Sequence, residues 1–171
     1  IVVNGLSALI RERRIIVCCG SGGVGKTTTA AALAVEGARQ GRRTCVVTID
    51  PARRLADALG LDSLTNTPAR IDGAWRQVLW ALMLDTRSTF DAAVIRYARD
   101  EAQAQAIQAS RLYRNLRDTL SGTQEYMAVE KLYQLHKEGG FDLLVVDTPP
   151  TRRAMDFLSA PRHLTRILDN P

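Results

Sequence analysis

The stretch Gly20-Ser21-Gly22-Gly23-Val24-Gly25-Lys26-Thr27 constrains the fold of this chain more than any other, because it follows the phosphate-binding pattern G-x-x-x-x-G-K-[ST]. The run before it, Arg14-Ile15-Ile16-Val17-Cys18-Cys19, is short and apolar, as expected of a strand buried on both faces. The residues after it, Thr27 to Gln40, are Ala-rich and end at Gly41, which predicts a helix with a glycine stop. Cys45-Val46-Val47-Thr48-Ile49 predicts a second buried strand. Strand, glycine loop, helix and parallel strand make a βαβ unit with an anion site at the helix N-terminus. The glycines let the backbone wrap a phosphate chain, and successive N–H groups line the cradle. Lys26 would reach the β- and γ-phosphates and the Thr27 hydroxyl would ligate Mg²⁺, with Gly20 to Val24, Gly25 and Thr28 as the other nucleotide contacts. Only Lys26, Lys131 and Lys137 are lysines, against twenty arginines, so the compact ammonium stands where phosphate chemistry favours it.

The rest of the chain extends the same alternation. Val2 to Arg13 predicts an amphipathic helix, and Val78 to Leu84 a third strand ending at Asp85. Arg87 to Leu120 predicts one continuous helix, broken at Ser121-Gly122. Glu125 to Glu138 predicts another, with Tyr126, Val129, Leu132 and Tyr133 on one face, stopped by Gly139-Gly140. Leu143 to Asp147 predicts a fourth buried strand, and short helices are expected near Thr151 and over Pro161 to Asp169. The fold class is α/β: a doubly wound, mainly parallel sheet with a helical segment inserted over 86–138 in a single domain spanning 1–171. Trp75 and Trp80 read as packing residues, since nothing basic interleaves with them. No run approaches the roughly 18 apolar residues of a membrane span, and no signal-peptide pattern is present, so a cytoplasmic protein is expected. Ile1 in place of Met suggests a trimmed start.

Two acidic residues end strands. Asp50, in Thr48-Ile49-Asp50-Pro51-Ala52, reads either as an N-cap, with Pro51 opening a helix to Leu59, or as a carboxylate that orients water or binds the Mg²⁺ shell. The second reading places it at the carboxyl edge of a strand neighbouring the loop. Asp147 follows four apolar residues, the usual pattern of the Mg²⁺-associated acidic strand in phosphate-loop NTPases. Cys18, Cys19 and Cys45 fall in expected buried strands and lack zinc spacing, so reduced core thiols are expected. The net charge of +5 comes from dispersed arginines, which makes nucleic acid an unfavoured partner.

Together these motifs resemble the ArsA-like family of arsenite-pump and tail-anchored-protein-targeting ATPases, a branch of the deviant-Walker P-loop NTPases. Where the family reads GKGGVGKT, TDPA and DT-x-PTGH, this chain has GSGGVGKT at Gly20–Thr27, TIDPA at Thr48–Ala52 and DTPPTRR at Asp147–Arg153. The resemblance covers the whole chain but only the first part of a family member. It implies ATP and Mg²⁺ as cofactors, Lys26 on the phosphates, Thr27 and Asp147 at the metal, and Asp50 as the residue that positions the hydrolytic water. It further implies a nucleotide-sandwiched homodimer, or a heterodimer with a related ATPase, acting as a switch for a client that the sequence does not identify.

Three features depart from the pattern. Ser21 replaces the family's second loop lysine, Arg152-Arg153 replace Gly-His, and neither the CxxC clasp nor the metalloid-binding cysteines have counterparts. A methionine-rich groove is not expected from Met83, Met127 and Met155 alone. The leading expectation is an Mg²⁺-dependent ATPase. A weakly hydrolysing, nucleotide-sensing subunit that needs a lysine-bearing partner is the alternative, and a DNA-partitioning ATPase is a remoter one.

Overall fold

Three parallel strands end level with one another and hold the loop and both acidic residues at one edge of a sheet. In the computed structural model, which describes residues 2–50, 52–119 and 124–150, the strands are β1 (Ile15–Cys18), β2 (Thr44–Thr48), β3 (Ala69–Ile71), β4 (Leu79–Met83) and β5 (Leu143–Asp147). Their order is β1-β5-β2-β4-β3, all parallel except β3, which runs antiparallel to β4. Asp147 faces Cys18 across one ladder and Thr48 across the other. The strand bearing Asp147 therefore lies directly beside the loop-bearing strand, and β2 lies one place further away than the sequence suggests.

Burial follows from that order. Every residue of β2 and β5 is buried. Among the described residues β1 has a strand neighbour on one side only, and Ile15 is 42% exposed, so this strand is not buried on both faces as expected. Cys45 is buried, whereas Cys18 and Cys19 are half-buried, and Cys19 lies past the end of β1. All three thiols are free. Burial pushes the Cys18 thiol up to about 11 and that of Cys45 up to about 12, which keeps both protonated near neutrality.

Helices cover both faces, as a doubly wound sheet requires. On one face Ala30, Ala31, Leu33, Ala34 and Ala38 of α2 (Lys26–Arg39) pack on Val46, Leu79, Leu143 and Val145, joined by Ile10 of α1 (Val2–Glu12) and Leu55 of α3 (Arg54–Leu59). On the other, Ala128, Leu132 and Leu135 of α7 (Gln124–Glu138) pack on Cys45, Val47, Leu82, Leu144 and Val146. Trp80 meets Phe141 edge-on against that second core, a packing role as expected. Tyr133 does not share the buried stripe of α7, since it is half exposed and Leu135 takes the inward position. Arg42 ties α1 to the sheet by donating to the carbonyls of Ile10, Arg13 and Asp142.

α2 sits close enough to the sheet that Gly37 has no room for a side chain. A Cβ there would lie 2.7 Å from Leu143 Cδ2 and 2.8 Å from Thr44 Oγ1, both on fully buried residues. Gly37→Val is therefore expected to lower stability by about 1–3 kcal/mol through overpacking. A urea unfolding midpoint equal to wild type would show that α2 can move off the sheet.

The long helix expected over Arg87 to Leu120 is instead three: α4 (Thr86–Tyr97), α5 (Glu101–Ala109) and α6 (Arg111–Thr119). Ala98 and Ser110 are extended, and each new helix has its own N-cap. Asp100 accepts from the Gln103 amide at 2.7 Å, and Ser110 Oγ accepts from the Tyr113 amide at 3.1 Å. Asp91 ties α4 to α6 by accepting from the Tyr113 hydroxyl and the Arg117 guanidinium. β3 was not expected at all. The expected helices near Thr151 and over Pro161 to Asp169, the break at Ser121-Gly122, and Pro51, Arg152, Arg153 and Met155 lie outside the described residues. Among the described residues no helix is long and apolar enough to cross a membrane.

Candidate phosphate and metal site

The loop between β1 and α2 takes its shape from two left-handed residues. Gly23 has φ 78° and Gly25, the N-cap of α2, has φ 84°, a region that side chains strain to enter. The loop and the start of α2 border a cleft of about 500 Å³ lined by Gly23, Gly25, Lys26, Thr27, Thr28, Arg54 and Asp57. Lys26 Nζ donates to the Ser21 carbonyl at 2.8 Å and so spans the loop. Of the residues expected to contact nucleotide, Gly23, Gly25, Lys26, Thr27 and Thr28 share this cleft. The side chain of Val24 points outward and is 61% exposed, and Gly20, Ser21 and Gly22 belong to the loop without lining the cleft.

Asp147 reaches the loop from β5. It is 1% exposed, and its Oδ2 accepts from Thr27 Oγ1 at 2.9 Å and from Thr48 Oγ1 at 3.0 Å. Its Oδ1 is buried and has no partner among the described residues. Burial holds the carboxyl above the usual carboxylate range. The hydroxyls of Thr27 and Thr48 pull it back down, the Asp50 charge raises it, and Lys26 lowers it. A buried carboxylate oxygen without a donor, beside a threonine hydroxyl and an open cleft, fits a hard cation that takes oxygen ligands and keeps most of its waters. Among the described residues there is no cluster of three or more His, Cys, Asp or Glu that could hold a metal.

Asp50 follows β2 on the same edge, with Oδ1 accepting from the Ala52 amide at 3.0 Å and Oδ2 paired with Arg54 at 2.8 Å. It is not a helix N-cap: α3 starts at Arg54, its N-cap is Arg53, and no side chain caps it. Pattern reading assigned no role to Thr48 and did not single out Asp57. The signal for Thr48 is its register opposite Asp147, which appears only once β5 is placed between β1 and β2.

The helices inserted between β4 and β5 carry a second cavity, about 500 Å³, lined by Phe90, Val94, Tyr97, Ile107, Tyr126 and Met127 among others. It is apolar, and aromatic rather than methionine-rich.

Comparison with known proteins points the same way as the geometry. The profile of the family described as anion-transporting ATPase matches residues 13–170. A Halobacterium salinarum protein provisionally named an arsenical pump-driving ATPase is 31% identical over 94% of this chain and 26% of its own length. An uncharacterized protein of Streptomyces coelicolor is 34% identical over 91% of this chain and 39% of its own length. The ATPase GET3 of Malassezia globosa is 28% identical over 90% and 44% respectively. The chain thus spans less than half the length of each of these relatives.

Proposed function

The chain belongs to the anion-transporting ATPase family, and from that membership we propose that its polypeptide binds ATP with Mg²⁺ in the Lys26–Thr27 cleft and hydrolyses it to ADP and phosphate. One observation carries this reading: Asp147 presents a buried, unpartnered oxygen beside the hydroxyl of Thr27, where a phosphate-bound cation would sit. Lys26 would leave the Ser21 carbonyl for the β- and γ-phosphates, while the amides at the start of α2 bind the chain of oxygens. Thr27 Oγ1 and Asp147 would hold Mg²⁺, which when bound neutralises charge on the phosphates during transfer. Asp50 would orient the attacking water from the end of β2.

The loop from Ser21 to Gly25 is exposed, so a bound γ-phosphate would be open to solvent on that side. We assign its closure to a second subunit, either another copy or a related ATPase, in a dimer that switches with nucleotide for a client not yet identified. We take the chain to be the N-terminal nucleotide-binding part of a longer family member, in keeping with the share of each relative it matches. The arginines are dispersed along the chain, so we assign no nucleic-acid partner.

Phosphate release from ATP by the intact polypeptide tests this reading, with Mg²⁺ or with EDTA, alone and mixed with a related ATPase. Mg²⁺-dependent release is expected. Release only on mixing would assign the heterodimer. No release in any combination would overturn hydrolysis as the function.

A further inference from the structure

The two arginines that follow Asp50 serve different places. Arg53 donates from its guanidinium to the Asp62 carbonyl and lines a small apolar pocket with Ala56, Leu64 and Met83. Arg54 lines the phosphate cleft with Lys26 and Thr27, and its guanidinium pairs with Asp50 Oδ2 while 62% of the side chain stays exposed. We propose that Arg54 is the second phosphate cation of this cleft, which leaves Asp50 for the terminal phosphate of ATP and thereby frees Asp50 for the attacking water. The proposal rests on the cleft being the ATP site.

The charges lining the cleft favour a second cation. Lys26 and Arg54 are its cationic side chains, and Asp57 adds a carboxylate from α3. A triphosphate brings several negative charges, so Lys26 alone, opposed by Asp57, leaves part of that charge uncompensated even with a divalent ion. A guanidinium is planar and presents parallel N–H groups that match a phosphate as well as a carboxylate, and the terminal phosphate of ATP carries more charge than the single carboxylate of Asp50. Its present hold is modest, because the arginine end of this i,i+4 pair is exposed, where solvent screens it and fixing the side chain costs freedom, although the Asp50 side chain is only 13% exposed. Transfer of Arg54 to phosphate is therefore favourable only when a terminal phosphate lies within reach.

The pair also compensates the charge of Asp50. Both carboxylate oxygens already accept hydrogen bonds, Oδ1 from the Ala52 amide and Oδ2 from Arg54. A water presented to Asp50 in this state meets a carboxylate whose charge is compensated. Once Arg54 moves, Oδ2 becomes a free acceptor while the Ala52 amide still holds the group in place. One side chain thus couples recognition of the third phosphate to activation of water. ADP, which lacks that phosphate, leaves Arg54 on Asp50.

Calorimetric binding of ATP and of ADP, with Mg²⁺, to the intact polypeptide tests this together with turnover. The variants are Arg54→Ala, Arg54→Gln, Arg54→Lys and Arg53→Ala. Arg54→Ala and Arg54→Gln are expected to weaken ATP binding roughly tenfold, leave ADP binding within about twofold, and reduce turnover by more than roughly tenfold. Arg54→Lys should restore part of each loss, and Arg53→Ala should match wild type. Equal loss of ATP and ADP affinity, or no loss of either, overturns the role of Arg54 while ATP binding by wild type leaves the nucleotide reading standing. A wild-type protein that binds neither nucleotide overturns both.

Discussion

Lys26→Ala is expected to weaken ATP binding by about tenfold or more and to abolish measurable hydrolysis. A charge-assisted hydrogen bond to phosphate contributes about 1.5–3 kcal/mol, and each 1.4 kcal/mol is roughly a factor of ten in affinity. Lys26 is the lysine that lines the cleft, and its ammonium donates to the Ser21 carbonyl of its own loop. That bond lies at the surface, so losing it should lower stability by under about 1 kcal/mol. Calorimetry on the folded variant separates the two effects. Unchanged ATP affinity would remove the loop as the phosphate site.

Asp50→Asn is expected to reduce turnover by about 10²–10⁴, the range over which a positioned proton acceptor contributes, while ATP binding persists. The amide retains an oxygen for the Ala52 N–H, and the lost pairing is with a largely exposed guanidinium, so it is worth about 1 kcal/mol or less. Stability should therefore change little. Because α3 begins at Arg54 with no side-chain cap, loss of a helix cap cannot account for a large drop in stability. Hydrolysis at the wild-type rate, measured by single turnover, would show that Asp50 does not act on the water.

What could be read from sequence divides along physical lines. β1, β2, β4, β5 and the start of α2 are written as apolar runs and a glycine loop, and they formed within a residue or two of expectation. β3 is three residues, Ala69, Arg70 and Ile71, with no period of its own, and it exists because β4 offers it an edge. The breaks inside the expected long helix were legible in principle: Asp100 and Gln103 stand three apart, as a capping pair does, but apolar spacing on either side masked them. The site itself is long-range. Thr27 and Asp147 meet across 120 positions, a contact that depends on β5 entering between β1 and β2. No local pattern encodes that order. The motifs nonetheless singled out both residues, Thr27 by its place after the glycine loop and Asp147 by its place at the end of an apolar strand.

The most direct test of the account is the Mg²⁺ dependence of ATP affinity in the wild-type protein and in Asp147→Asn. Asparagine keeps the shape and an oxygen for the hydroxyls of Thr27 and Thr48, but it removes the charge that a cation would see. The account predicts that Mg²⁺ tightens ATP binding by roughly tenfold or more in wild type, and that most of this gain disappears in the variant. An equal Mg²⁺ effect in both proteins, or none in wild type, would contradict it.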